Sequence, residues 1–401
     1  MNKSRVVALK ANKRILFWTK LLVEIKALNA IITLFYIQRG ISVGEVLYLS
    51  VIWSVTALLL EIPSGYFADL FGRKKTIILG VLLHSLSISL MFVSFSFPMF
   101  ALSIALASAG YACFTGTDSA LLYDSLKEIG DEKSSLRVSG KYYSASRFSK
   151  IFIPLLGAIL AKNLFAWQFN VLISIELIGA LISLILANKL TEPNKHMDVS
   201  EKEEGMFKDS FKLFKENKLV RKFALNKSFV FIGILIIWRI YQPHLKSVGA
   251  SIIVLGVIYA IFQLLAFLSL WLSDKIQKRI TGYSFFSLPV FMGIISIFVF
   301  MFSQNIWFLS VATILLMILG TVRDPLFFQQ INLHVKSFNR ATTMSVLNVI
   351  KSIFDIPILL LVGYLADIDF KYVYLMVLSL FVYSLFFLRI EKKDIQLVDT
   401  K

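Results

Sequence analysis

Apolar segments of about twenty residues, separated by short polar turns, recur from one end of this chain to the other. An α-helix rises about 1.5 Å per residue, so about 20 residues cross a hydrocarbon layer roughly 30 Å thick. With short loops, the chain is long enough for about twelve such segments. We therefore predict an all-α polytopic membrane protein, in agreement with a composition of 57% hydrophobic and 17% charged residues.

The predicted spans form two sets of six on either side of one long polar stretch. The first set covers residues 15–36, 46–68, 76–95, 100–123, 142–161 and 167–187, and the second covers 223–241, 252–272, 282–302, 306–328, 342–365 and 372–388. This order predicts an N-terminal six-helix bundle over 1–188 and a cytoplasmic linker over 189–222. A C-terminal six-helix bundle with a short cytoplasmic tail would then occupy 223–401.

The linker carries a helical pattern of its own. Phe207, Phe211 and Phe214 recur at helical spacing among lysines. Apolar residues on one face of a basic helix are typical of helices that lie on a membrane surface. We predict such an amphipathic helix on the inner surface, with a solvated connector favoured over a partner-binding site.

The second half of the chain repeats features of the first. Residues 69–74 and 274–279 each hold an acid followed four and five residues later by bases, at an offset of 205. Residues 137–154 and 340–357 each begin with Arg and end with Pro, at an offset of 203. A nearly constant offset predicts two parallel halves related by an axis along the membrane normal, with the substrate bound between them near the midplane.

The basic residues are strongly biased to one side of the predicted membrane. About 30 of the 42 Lys and Arg residues fall in loops on the side of the amino terminus, and about 4 fall on the other side. The positive-inside rule therefore predicts cytoplasmic termini in a multi-pass protein of the cell membrane. The net charge of +17 is thus interpreted as a lipid-facing basic surface rather than a nucleic-acid site.

A short polar motif joins the second and third predicted spans. It runs from Gly65 to Lys75 and contains Gly, three residues, Asp69, two residues, and then Gly-Arg-Lys-Lys. This pattern resembles the loop 2–3 signature of the major facilitator superfamily of secondary transporters, and its position between two spans agrees. Leu70 departs from the basic residue that the family often has directly after the acid.

The resemblance implies a specific architecture and a gating role for three residues. It implies twelve transmembrane helices as two parallel six-helix bundles around a central cavity. It also implies that Asp69, Arg73 and Asp124 form a latch that closes the cytoplasmic side, with Asp69 near the amino-terminal end of the eleventh span. The resemblance is to the twelve-helix drug:proton antiporter branch, although only Pro154 and Gly157 remain of its fifth-span pattern and Ile153 replaces the glycine before the proline.

Glu24 is the first candidate for proton coupling. It lies ten residues after Arg14, which places it roughly 15 Å deep in the first span. A charge at that depth must face a cavity, pair with another group or extend toward the surface. The alternative is that Lys20, four residues earlier, simply neutralises it. Lys26 lies roughly opposite Glu24 on a helical wheel, so one of the two requires a partner on a neighbouring helix.

Asp118 lies at comparable depth in the fourth span, among small and hydroxyl-bearing residues. These neighbours admit water or substrate, or merely satisfy a buried acid; the pattern leaves both readings open. In the family, spans one, four, seven and ten line the cavity, so Glu24 and Asp118 would converge there, with Arg323 and Asp324 opposite. Further charged candidates inside the spans are Glu61, Arg147, Lys150, Glu176, and the i, i+4 pair Lys351 and Asp355.

These features predict a proton-coupled secondary transporter that exports a small molecule, acting as a monomer with the lipid bilayer, protons and its substrate as partners. An uptake symporter for a polar or charged nutrient is the alternative, and a non-transporting receptor is a remote one. Four scattered histidines, one cysteine and the lack of a phosphate-binding glycine loop argue against an enzyme, a metal site or any cofactor.

Overall fold

The computed structural model describes residues 3–194, 211–271, 284–333 and 340–395, and all regular structure in these ranges is helical. The first half holds α1 (Lys3–Val23), α2 (Ile32–Gln38), α3 (Val43–Phe71), α4 (Arg73–Met91), α5 (Phe97–Phe114), α6 (Thr117–Glu128), α7 (Ser135–Leu160) and α8 (Ala166–Asn188). The second half holds α9 (Lys218–Ser247), α10 (Ile252–Trp271), α11 (Ser284–Phe302), α12 (Ile306–Leu333), α13 (Arg340–Ala366) and α14 (Phe370–Phe386).

The helices match the predicted spans. Eight helical segments among the described residues are long and apolar enough to cross a membrane, and three shorter apolar helices lie at Asn29–Gln38, Phe286–Phe302 and Phe370–Phe386. Each of the predicted spans coincides with one helix or with a consecutive pair. The prediction of an all-α polytopic protein is therefore confirmed.

The chain divides into two compact units. The first contains Met1–Ile41, Ile52–Asp198 and Ile252–Ala260, and the second contains Ser42–Val51, Val199–Ser251 and Ile261–Lys401. Each unit thus includes the start of one helix from the other half of the sequence. The sequence did not predict that each unit contains the start of a helix from the other half. The domain boundaries at 189 and 222 remain a prediction.

The start of α10 packs closely inside the first unit. A Cβ added at Gly256 would lie 2.5 Å from Cβ of Ala158, so glycine permits the close approach. Nδ2 of Asn29 donates a hydrogen bond of 3.3 Å to the hydroxyl of Tyr259. Residues from the second half of the sequence therefore complete the packing of the first unit.

The first predicted span is broken rather than continuous. Helix α1 ends at Val23, and helical structure resumes only at a 3₁₀ turn, Asn29–Ile31, which leads into α2. Two glycines make room for the irregular backbone: a Cβ at Gly157 would lie 2.1 Å from the Ala27 carbonyl oxygen, and one at Gly179 would lie 3.0 Å from that of Leu22. The break depends on neighbouring helices, which a helical wheel does not consider.

The fourth predicted span is also broken, between α5 and α6. Gly116 has a φ of +86°, a conformation that side-chain-bearing residues rarely adopt. Helix α6 then begins at Thr117, which places Asp118 in its first turn. Because the amino-terminal end of a helix favours a negative charge, this break provides a suitable position for the acid.

The motif between the second and third spans is shorter than its sequence suggests. We predict a polar loop from Gly65 to Lys75, but α3 continues to Phe71 and α4 begins at Arg73. Only Gly72, with a φ of +97°, separates the two helices. The polar residues of the motif therefore lie on helix ends, and the chain reverses at a single glycine.

The linker and the repeats are described only in part. Phe207 and residues 274–279 lie outside the described ranges. Residues 211–216 are helical, with Phe211 exposed and Phe214 packed against the core of the second unit. In the other repeat, each Arg and its Pro lie on a single helix, α7 or α13.

We expect Gly157→Ala to lower the thermal stability of the purified protein, because its methyl group would collide with backbone at the break in the first span. Overfilled packing of this kind costs about 1–3 kcal/mol. Gly140→Ala on the same helix is the matched control, since no atom lies within 4 Å of its Cβ position. The measurement is the unfolding temperature in detergent; equal values for the two variants would contradict the proposed contact.

Candidate functional site

Four charged side chains of the first unit form a continuous series of ion pairs, which we call the charge network. Nζ of Lys150 lies 3.3 Å from Oε2 of Glu24, whose Oε1 lies 3.7 Å from Nζ of Lys20. Nζ of Lys20 also lies 3.4 Å from Oδ2 of Asp118. Two acids and two bases therefore alternate from α7, past the end of α1, to the start of α6.

The network ends at a buried tyrosine. The hydroxyl of Tyr142, on α7, donates a hydrogen bond to Oδ2 of Asp118. These two residues are only 1% and 2% exposed. The Lys20 ammonium also lies 5.0 Å from the ring centre of Phe114 and 5.8 Å from that of Tyr142. Aromatic faces attract cations, so two carboxylates and two rings hold this lysine.

The geometry brings Glu24 and Asp118 to one shared lysine, Lys20, which the sequence offered only as a residue that neutralises Glu24. Its side chain is only 12% exposed and lies within 4 Å of both acids. The i, i+4 spacing of Lys20 and Glu24 was the available signal, and that pairing is present. Glu24 also provides the counter-charge for Lys150.

Lys26 has a different partner from Glu24. Its Nζ lies 2.7 Å from Nε2 of His84 on α4. Helix α1 ends at Val23, so a helical wheel does not describe the relative directions of Glu24 and Lys26. Lys26 nevertheless has a partner on a neighbouring helix, as predicted for one of the two. His84 was missed because an isolated histidine in an apolar span carries no pattern that points to a lysine.

Glu176 stabilises the point where the first span resumes. Its Oε1 accepts a hydrogen bond of 2.9 Å from the backbone N–H of Leu28. Nearby carbonyls before the break also have partners: Ser149 donates to Leu21 O and Ser183 to Thr19 O, each at 3.2 Å. Side chains of neighbouring helices therefore form hydrogen bonds with the backbone around the break, and the Glu176 carboxylate is one of them.

In the second unit, Arg323 and Asp324 turn to different neighbours on α9. Arg323 is 2% exposed; it donates to Oδ1 of Asn226 and lies 4.9 Å from the ring centre of Phe327. The Asp324 side chain is 54% exposed and lies 3.2 Å from Nζ of Lys227. The two adjacent residues therefore serve separate interactions, one inside the unit and one at its surface.

The predicted pairing of Lys351 with Asp355 on α13 is present. Nζ of Lys351 donates a hydrogen bond to Oδ2 of Asp355, and it lies 4.5 Å from the ring centre of Phe231. Asp355 is fully buried. Of the remaining candidates, Glu61 on α3 and Arg147 on α7 are half-buried, and Arg147 lies one turn before Lys150.

Two members of the predicted latch are paired with each other, Arg73 and Asp124. Asp69, the third member, lies on the last turn of α3. A further acid, Glu192, accepts hydrogen bonds from the backbone N–H groups of Arg73 at 2.8 Å and Lys74 at 2.7 Å. Glu192 therefore caps the start of α4. It follows the last span of the first half, and its polar surroundings in the sequence gave no sign of this distant partner.

The amino-terminal helix α1 contacts the same region. Nε of Arg5 lies 2.6 Å from Oε1 of Glu128, and its Nη2 donates to Oδ1 of Asn194 at 2.9 Å. Among the described residues, no group of three or more His, Cys, Asp or Glu side chains is arranged to hold a metal ion.

A family model described as Major Facilitator Superfamily matches residues 22–357 of the chain. Among curated proteins, a Na(+), Li(+), K(+)/H(+) antiporter of Planococcus maritimus is 28% identical over 169 residues, which cover 40% of this chain and 36% of the antiporter. The match thus spans about a third of that relative's length.

Solved transporters share the fold. A mutant of the nucleoside transporter NupG matches with a TM-score of 0.78 and 15% identity, covering 95% of this chain and 98% of that one. A bacterial homolog of the human lysosomal transporter Spinster, inward-facing and occupied, matches at 0.70 with 16% identity and coverage of 96% and 95%. A D-xylose-proton symporter matches at 0.63 with 14% identity and coverage of 98% and 99%.

We expect Lys20→Met to lower the free energy of unfolding by about 3–5 kcal/mol, because removing one member of a buried ion pair leaves an uncompensated charge. Asp118 would then retain the neutral donors Tyr142 and Ser119. The double variant Lys20→Met/Asp118→Asn should recover most of the loss.

The measurement is denaturation of the purified protein in detergent. Lys13→Met is the matched control, since Lys13 is exposed on the same helix, and it should change stability by less than about 0.5 kcal/mol. If the single and double variants are equally unstable, Asp118 does not depend on Lys20 for its charge compensation.

Proposed function

This chain belongs to the Major Facilitator Superfamily, and from that premise we propose that it is a secondary transporter of the cell membrane that exports a small molecule in exchange for protons. Membership rests on the family match over residues 22–357. Proton coupling and export are the proposed part. The observation that carries them is the charge network, which holds two carboxylates inside predicted spans beside a shared lysine.

The network has the charge balance that proton coupling requires. With both acids ionised, Glu24 and Asp118 offset the charges of Lys20 and Lys150. Protonation of either acid removes a negative charge and leaves one lysine without full compensation. Because isolated charges inside a membrane are costly, the remaining groups must rearrange or bind a counter-charge.

The location of the network at two helix breaks connects that charge change to motion. Glu24 follows the last residue of α1, and Asp118 lies in the first turn of α6. Irregular backbone at membrane depth is typical of transporter sites, where broken helices bind substrates and coupling ions. We propose that proton binding at Glu24 or Asp118 alters how these helix ends are held, and so shifts the balance between inward-open and outward-open states.

Two observations favour exchange over nutrient uptake. The relative from Planococcus maritimus is named as a cation/H(+) antiporter, although the match covers only 36% of it. Pro154 and Gly157 on α7 also retain part of an antiporter pattern, and Gly157 supports the break in the first span. The second candidate is a symporter for a polar nutrient, favoured by the number of buried charges. Its test is the direction in which protons move when substrate is added.

We expect Glu24→Gln and Asp118→Asn each to reduce proton-driven transport by roughly tenfold or more, since buried carboxylates of this kind form proton pathways. The measurement uses proteoliposomes with a trapped pH-sensitive dye. Substrate is first identified by thermal stabilisation of the purified protein, because ligand binding raises apparent stability. Glu132→Gln, at an exposed cytoplasmic turn, is the control. Full gradient-driven transport in both variants would show that the coupling residues are assigned incorrectly.

We expect Arg73→Ala to slow transport while leaving the Kd for substrate unchanged, because Arg73 pairs with Asp124, which lies six residues after Asp118 on α6 and is not part of the charge network. Lys75→Ala removes the same charge from an exposed position two residues later and should transport normally. Binding is measured by calorimetry on purified protein and transport in proteoliposomes. Loss of binding with an unchanged rate of conformational exchange would contradict a latch function.

A further inference from the structure

Lys26 lies in the interrupted part of the first span and has an unusual partner. Helix α1 ends at Val23 and helical structure resumes at Asn29, so the backbone of Lys26 is not helical. Its Nζ lies 2.7 Å from Nε2 of His84 on α4. The polar partner of this lysine is therefore another basic side chain rather than an acid.

The chemistry of the two nitrogens fixes how this pair holds its protons. A lysine ammonium has three N–H donors and no acceptor, so Nε2 of His84 must be the acceptor. The ring is then neutral, with its proton on Nδ1, because a protonated ring would bring two positive charges into direct contact. Lysine is the stronger base of the two. The pair therefore carries at most one positive charge, and that charge lies on Lys26.

The charge of Lys26 is not neutralised at close range. Among the residues that the structure describes, no carboxylate forms an ion pair with this lysine. Glu24 and Glu176 act on its charge from further away. The oxygens of Glu24 pair with Lys20 and Lys150, and Oε1 of Glu176 accepts a hydrogen bond from a backbone N–H group. Both acids are thus already committed to other partners.

The Lys26 ammonium has donors left for another group. His84 accepts one hydrogen bond, which leaves two N–H donors. The side chain of Lys26 is half-buried, so part of it is accessible. Charged side chains within membrane spans face the protein interior or water rather than lipid. A dissolved ligand can therefore reach the free side of this ammonium.

The backbone of His84 is closely packed, which limits how far its ring can move. A Cβ added at Gly80, one turn earlier on α4, would lie 2.8 Å from the carbonyl oxygen of Gly110 on α5. A Cβ added at Gly110 would lie 3.1 Å from the backbone nitrogen of His84. The two helices thus meet backbone to backbone beside the histidine. A donor held by so rigid a partner is pre-organised, and pre-organisation lowers the cost of binding.

We propose that Lys26 binds a carboxylate group of the transported molecule and that His84 is the positioning residue that orients the ammonium. The substrate class is then an organic anion. An ammonium with free donors forms charge-assisted hydrogen bonds with a carboxylate, and interrupted helices are where many transporters bind their substrates. This identification rests on the proposed transport function, but it does not depend on the direction of transport.

The test is the binding of matched probes to the purified full-length protein in detergent, at neutral pH and constant ionic strength. The probes are benzoate and 1-naphthoate, each beside its neutral amide, benzamide or 1-naphthamide. The Kd is obtained from the rise in unfolding temperature with probe concentration, since a ligand that binds the folded state raises apparent stability. The parent should bind each carboxylate more tightly than its amide by roughly 10- to 150-fold, the usual effect of a hydrogen bond to a charged group.

Variants of the lysine test whether its charge causes this preference. Lys26→Gln removes the charge and keeps a polar side chain, so it should bind a carboxylate and its amide equally. Lys26→Arg keeps the charge and should retain the preference for the carboxylate. Lys162→Gln is the matched control, because Lys162 is exposed in the turn between α7 and α8, and it should bind as the parent does.

Variants of the histidine test its positioning role. His84→Ala removes the acceptor but leaves the charge of Lys26, so it should weaken carboxylate binding by less than Lys26→Gln does. His84→Gln should restore binding, because its amide oxygen can accept from the ammonium. If His84→Ala binds as the parent does, or if His84→Gln restores nothing, His84 does not position Lys26.

The remaining outcomes decide the site itself. Equal Kd values for a carboxylate and its amide in the parent would overturn the inference, as would an unchanged preference for the carboxylate in Lys26→Gln. Should Lys26→Gln not fold, the ratio of Kd values in the parent and its decrease in His84→Ala carry the same decision. Full proton-driven transport in Glu24→Gln and Asp118→Asn would contradict the proposed coupling residues without altering these Kd values, so the two failures are distinguishable.

Discussion

A charged side chain inside a hydrocarbon layer must be paired, and the arrangement of the first unit follows from that requirement. Glu24 and Asp118 share Lys20, and Lys150 provides a second cation for Glu24. Each acid lies beside an interruption in its span, where the backbone departs from a regular helix. The breaks are not defects in an otherwise regular bundle, since they position the carboxylates where lysines from different helices can reach them. Glycines on the neighbouring helices leave space for the irregular backbone, and serine hydroxyl groups donate hydrogen bonds to its carbonyl oxygens.

The same principle organises the helix ends at the two predicted surfaces. Acids that are distant in sequence accept hydrogen bonds from free backbone N–H groups, Glu192 at the start of α4 and Asp367 at the start of α3. Within the first span, Glu176 does so at Leu28. These carboxylates connect one helix to another without burying a large apolar surface. Such contacts suit a protein whose helices pack firmly within a unit but whose conformation must change during transport.

The sequence was sufficient to predict the spans and most of the buried charges, because hydrophobic length and the position of a charge within a span are properties of local segments. It was insufficient for the breaks. Nothing between Glu24 and Leu28 forbids a helix, and the interruption depends on Gly157, Gly179 and Glu176 contributed by other helices. His84 was missed because an isolated histidine in an apolar span does not indicate which distant side chain it contacts. A motif read as an eleven-residue loop proved to be two helix ends and one glycine, because polarity alone does not distinguish a loop from a helix end.

The packing of residues 252–260 into the first unit bears on how the protein is made. Tyr259 and Gly256 complete contacts with Asn29 and Ala158, yet they leave the ribosome long after both. The amino-terminal helices are therefore synthesised before the residues that complete their packing. Full packing of the first unit must wait until the eighth span has been made.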